Sequence, residues 1–270
     1  MKKIMTLALS LILVLSLSAC SVRFEVRNKN NSKSNKTYEV KDINKNVKLE
    51  NENKIDISIG FGKINIVGYD GNEVIVTGKT NLNVDEININ ININKEGNSI
   101  EISDGNDLSN IDLFKSNNID VKLMIKIPNN YSGDINLSYG AAEVELSNID
   151  CNNLNIDGGA GELTINDIFF NKLDFNAGVG ESEINLVRKC GEIDIDGGVG
   201  EISISIEEVG GNLIYEGGVG SAKIKIPENS PVYFNTDSGI GETNINAITS
   251  SERTYEFNLS LGIGEIKVYN

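Results

Sequence analysis

Along residues 131–270, apolar and polar residues alternate one by one, break at a pair of glycines, and alternate again. The stretches "NLNIDGGAGELTIN", "EIDIDGGVGEISIS" and "YEFNLSLGIGEIKV" show the unit. Strict alternation predicts a strand with one buried face on each side of every break. Aligned on the second glycine slot, the unit places Gly161, Gly180, Gly200, Gly220, Gly241 and Gly264 in one column, with Ala142 one repeat earlier. The spacings are 19, 19, 20, 20, 21 and 23 residues. A period near 20 that drifts by a residue predicts an all-β, parallel β-solenoid, each repeat supplying one coil.

The columns extend the argument. Before the glycines run Ile135/Leu137, Leu154/Ile156, Leu173/Phe175, Ile193/Ile195, Leu213/Tyr215, Phe234/Thr236 and Phe257/Leu259. After them runs Leu146, Ile165, Ile184, Ile204, Ile224, Ile245 and Val268. Stacked at ~4.8 Å per coil, these positions form apolar ladders inside and leave Asn, Asp, Ser, Thr and Lys outside. The glycines then sit at the corner of each coil, packed against the same corner above and below, where the chain turns sharply and a Cβ has no room.

Two ligand readings of the glycines fail. A phosphate loop requires a helix after the glycine turn, but "GEISIS" continues as a strand. The calcium nonapeptide requires Asp two residues after the last glycine, and that slot holds Leu163, Ser182, Ile202, Ala222, Thr243 and Ile266. The acidic column is a candidate of another kind: Glu143, Glu162, Glu181, Glu201, Glu242 and Glu265 follow the glycine slot, interrupted by Ser221. Such a column either splays into solvent or shares cations. Carboxylates without carbonyl-rich loops make weak calcium sites, so splaying is the expectation and no resident metal or cofactor is expected.

Ahead of the array, "IDISIGFGKINIVG" at 55–68 has the same grammar around Gly60-Phe61-Gly62, four periods of 20 before Ala142. The intervening chain does not read as four coils. "YDGN" (69–72) and "NKEGNS" (94–99) are turn signals, Ile87, Ile89, Ile91 and Ile93 alternate with Asn, and "DGNDLSNIDLFKSNN" (104–118) is a polar loop. "IDVKLMIKIPNN" (119–130) is a strand leading into the array. Residues 47–130 are therefore expected to form strands and hairpins that cap one end of a solenoid spanning 131–270.

The first nineteen residues carry Lys2 and Lys3, then an apolar run from Ile4 to Leu17, too short to span a bilayer comfortably, then small residues. This is the pattern of a signal peptide. Residues 20–46, rich in Asn, Lys and Ser, read as a flexible tether. The net charge is −15, and −17 on side chains without the leader, with no basic cluster beyond the tether, which argues against nucleic acid and against docking on an anionic bilayer. The chain has no His, the commonest general base and metal ligand, and that lowers the case for hydrolytic or zinc chemistry.

Cys151 and Cys190 fall three residues before Leu154 and Ile193, which share a column, and Phe170 fills the same slot between them. The two thiols are thus expected two rungs apart, ~9.6 Å, beyond the ~7 Å between Cα atoms that a disulfide spans. Free thiols are predicted.

"LSAC" resembles the lipobox of bacterial prolipoproteins, which implies that Cys20 becomes the acylated, palmitate-bearing N-terminus of the mature chain, anchored to the outer surface of the cell membrane. Over residues 47–270, "FGKINIVG", "KIPNNYSGDINLSYGAAEVEL", "GGVGSAKIKIPENSPVYFNTDSGIGE" and "LSLGIGEIKVY" resemble the toast-rack and adhesin-type β-repeat domains of bacterial envelope proteins. The resemblance implies the β-repeat fold and an extracytoplasmic, non-enzymatic role toward an envelope protein or wall polymer. It carries no catalytic or binding residues to this chain. The alternative from the residues themselves is a surface protein that binds cations or glycans through the Glu column.

Overall fold

The structure is a computed structural model that describes residues 41–80, 91–104 and 121–270. These residues form strands β1 (Lys41–Lys48), β2 (Lys54–Tyr69), β3 (Glu73–Thr80), β4 (Asn92–Glu96), β5 (Ser99–Ser103), β6 (Val121–Pro128) and β7 (Asp134–Ser147). They continue as β8 (Asn153–Asn166), β9 (Lys172–Leu186), β10 (Glu192–Ile206), β11 (Leu213–Lys225), β12 (Val232–Ile245) and β13 (Tyr255–Tyr269). All join one open sheet in the order β1-β3-β6-β2-β7-β8-β9-β10-β11-β13-β12, with β5 also on β2 and β4 on β5. The leader, Cys20 and most of the segment read as a tether lie outside the described residues, as do residues 81–90 and 105–120.

From β2 to β12 the pairing is parallel and in register, so every column read from the sequence is a physical ladder. The two alternating halves of each repeat run as one long strand through the glycine corner. In β10, Ile193, Ile195, Ile202, Ile204 and Ile206 point inward and are buried. Short return segments close each coil and add Ile149, Cys151, Ile168, Phe170, Cys190 and Val209 to the same core. Asn148 and Asp167 begin two of these returns with φ of 54° and 49°. Asn and Asp tolerate that left-handed turn better than other non-glycine residues.

The expected boundary at 131 is corrected. β2 is itself a coil of the array, paired with β7 from Lys54↔Asp134 to Val67↔Ser147, with Gly62 beside Ala142. No coils are missing between them. The 80-residue separation is an excursion, and its strands cover the opposite edge of β2: β5 on the first half, β6 on the second. A long insertion that leaves and returns costs little in closure entropy beyond that of a short one. The expected cap is present as β4 and β5, an antiparallel hairpin turning at Gly97 (φ 61°), and as β1 and β3, antiparallel to each other and to β6.

A second correction concerns the expected tether, which ends before residue 41 rather than at 46. Residues 41–48 form β1 along β3, because Ile43 and Val47 pack on the core while Asn44 and Asn46 between them face water.

The order at the far end also departs from simple stacking. β13 lies between β11 and β12, so the strand later in sequence is the inner one. The residues explain the inversion. β13 offers Phe257, Leu259, Leu261, Ile266 and Val268, all buried, whereas β12 places Thr236 and Thr243 in the rungs of Leu259 and Ile266. The strand with polar residues in apolar columns tolerates an edge, where one side meets solvent.

Candidate functional site

The glycine corner is the most regular feature of the surface. Gly161, Gly180, Gly200, Gly220, Gly264 and Gly241 have φ between 134° and 149° and pair with one another rung by rung. At Gly200 an added Cβ would lie 1.7 Å from the Gly180 carbonyl oxygen, in a backbone conformation that side-chain-bearing residues rarely adopt. The corner is thus filled by the neighbouring backbone. It has no room to hold a ligand in the manner of a phosphate loop.

The acidic column lies outside, one residue after the corner glycine slot. Glu143, Glu162, Glu181, Glu201, Ser221, Glu265 and Glu242 follow one another across β7 to β12, and Lys63 of β2 heads the column beside Glu143. All six carboxylates are exposed. Two cations compensate locally: Lys63 pairs with Glu143, and Lys223 Nζ lies 3.3 Å from Glu201. The Glu143 carboxylate holds Lys63 above the usual lysine range. Among the described residues no group of three or more His, Cys, Asp or Glu side chains is gathered as a metal ion requires. Beside the column runs an open groove of about 380 Å³ lined by Glu162, Glu181, Glu183, Glu201 and Lys223.

On the first half of each strand the outer face is neutral to acidic and internally bonded. The Asn155 amide donates to Asn136 at 2.7 Å, Asn136 donates to Asp56 at 2.6 Å, and Asn176 donates to Asp157 at 2.9 Å. These are side-chain ladders of the kind in-register stacking produces. On the returns, Arg188 donates to Asp167 Oδ1 and Asp150 Oδ1, both at 2.7 Å, and to the Asp167 carbonyl at 2.9 Å, tying adjacent coils.

Cys151 and Cys190 are buried and free, as the column argument requires, with buried Phe170 on the coil between them. Burial pushes the Cys151 thiol up to about 12 and raises Cys190 as well. Neither is a nucleophile at neutral pH.

One set of residues escaped the sequence reading. Between the two glycines of each corner stands one apolar residue: Val179, Val199, Val219, Ile263 and Ile240 in successive rungs, exposed by 59, 50, 45, 46 and 72%. Alternation assigns apolar residues to the core, and a residue at the break in the alternation carries no such assignment. Its flanking glycines, "GVG" and "GIG", are the signal that it points outward.

Residues 27–168, just over half of the chain, match the family model described as the N-terminal domain of toast_rack, DUF2154. No curated protein matches the chain. Among solved structures, a candidate cell-adhesion protein from Clostridium sporogenes is similar at 20% identity and TM-score 0.45, covering 86% of this chain and 99% of its own. A candidate adhesin from Bacteroides fragilis is similar at 20% identity and TM-score 0.45, covering 84% and 97%.

Proposed function

The chain belongs to the toast-rack family, and from that premise we propose that it is a non-enzymatic, adhesin-like interaction module on the outer surface of the cell, held to the membrane by a lipid on Cys20. The observation that carries the reading is the repetitive polar ruling of the outer surface. Polar columns, mostly Asn, Asp, Ser and Glu with interruptions such as Lys63, Ser221 and Lys223, run from β2 to β12, and among the described residues no coil's outward side chains converge on a reacting centre. A catalytic site needs a local exception in which nucleophile, base and orienting group meet. A repeating face instead suits contact with an extended partner, an envelope protein or a wall polymer.

Lysine-bearing leader, apolar run and "LSAC" support the anchor. Replacing Cys20 with Ala should move the protein from the membrane fraction to an uncleaved or released form. Unchanged retention with normal processing would sink the anchored reading. Crosslinking in intact cells then identifies the partner.

A second reading is favoured by the in-register carboxylates: binding of cations or glycans along the Glu column. Calcium titration followed by thermal unfolding separates the two readings, because a ligand at 100 times its dissociation constant stabilises by ~2.7 kcal/mol.

A further inference from the structure

The aliphatic ridge at the corner contributes nothing to the core. An exposed β-branched residue between two glycines could be Ser or Thr without altering the backbone, yet five successive rungs of β9 to β12 carry Val or Ile, after Ala160 and Ala141 on the preceding rungs. Five rungs at ~4.8 Å make an apolar line ~19 Å long. Contiguous exposed apolar surface of this kind marks a contact site.

The charges beside the ridge select the occupant. Two residues after it stand Glu181, Glu201, Glu265 and Glu242, and three residues before it stand Asp196, Glu216 and Asp237, all exposed. A second copy placed ridge to ridge would set acidic columns against acidic columns. An anionic bilayer would be repelled in the same way. A protein segment with an apolar stripe bordered by Lys or Arg meets both features at once. A helix of about 13 residues has the matching length, and the groove lined by Glu162, Glu181, Glu183 and Glu201 lies where its cationic ends would reach.

We propose that the ridge formed by Val179, Val199, Val219, Ile263 and Ile240 is the docking surface for a basic amphipathic helix of a protein partner. The inference rests on the reading of the molecule as a module that acts by contact, and it names where and with what.

The test uses the intact protein and a fluorescein-labelled synthetic 14-residue peptide with Leu at helical i, i+3, i+4 spacing bordered by Lys, followed by anisotropy. The wild-type protein binds, and Val179→Thr/Val199→Thr/Val219→Thr weakens binding at least tenfold with an unchanged unfolding temperature. Glu181→Gln/Glu201→Gln weakens it and flattens its salt dependence. Should the triple variant misfold, Ile240→Thr on the edge strand alone reads out the same loss. Equal binding by the Thr variants, equal binding of a Leu/Glu peptide, no binding of the Lys peptide, capture by anionic vesicles instead, or self-association that the Thr variants abolish would each overturn the proposal. None of these outcomes bears on membrane fractionation of Cys20→Ala, so failure here and failure of the anchored-module reading are told apart.

Discussion

The Asn136 side-chain amide donates to the Asp56 carboxylate at 2.6 Å across 80 residues of sequence. Burial alone would raise the Asp56 pKa, but this bond and Lys54 outweigh it and hold the carboxyl below its usual range. The pair fastens the first coil to the next after the long excursion. Asn136→Ala should cost about 1 kcal/mol, the scale of one hydrogen bond to a half-buried charge, read by urea unfolding at neutral pH. No loss at all would mean that the ladder is ornamental to stability.

Gly200→Val should destabilise by about 3 kcal/mol or more, since the added atoms meet the Gly180 carbonyl in a strained backbone region. Ser203→Val, three residues on and facing solvent, should stay within about 0.5 kcal/mol. Equal midpoints for the two variants would place the corner wrongly.

Native protein should resist alkylation at Cys151 and Cys190 at neutral pH, because both thiols are buried and shifted toward protonation. Denaturation without reductant should make both label fully. An intramolecular bond between them would overturn the register.

Glu52 accepts from Lys95 at 2.6 Å, and this pairing, more than its backbone bond at Glu50, lowers its pKa from 4.5 to about 2. A carboxyl lowered in the folded state stabilises above its unfolded pKa and loses that contribution as pH falls from 4.5 toward 2. The pair ties β4 of the cap to the entry of β2. Glu52→Gln should therefore flatten the acid limb of the stability profile over that interval, measured by thermal unfolding against pH, and leave the neutral limb parallel to wild type.

Thr236→Leu/Thr243→Ile should turn the edge strand into a copy of its inner neighbours and promote end-to-end association, visible by sedimentation velocity. A sedimentation profile identical to wild type would mean that these threonines do not guard the edge.

The ladders were legible because their cause is local: an inward Ile at every second position forces the register, and a one-residue slip would expose the whole set. Leu146, Ile165, Ile184 and Ile204 could be aligned without coordinates for that reason. That Gly62 lies beside Ala142 was not legible: the chain between them does not read as four coils, but nothing in its alternation says which strand the array resumes on, and only pairing decides. The inversion of β12 and β13 was written in Thr236 and Thr243, residues that break their columns, but a broken column states a preference for an edge without saying which strand takes the inner place. The ridge was hidden by position: between glycines, alternation assigns no side.

The inverted pair sets an order of events. β12 precedes β13 in the chain yet lies outside it in the sheet. From β7 to β11 each strand pairs with the one before it in sequence. Beyond β11 this ends: β12 has its place on β13 alone, so its rung exists only once the later strand is present. The last two rungs thus depend on the C-terminal strand, and the molecule has a seam where chain order and stacking order run in opposite directions.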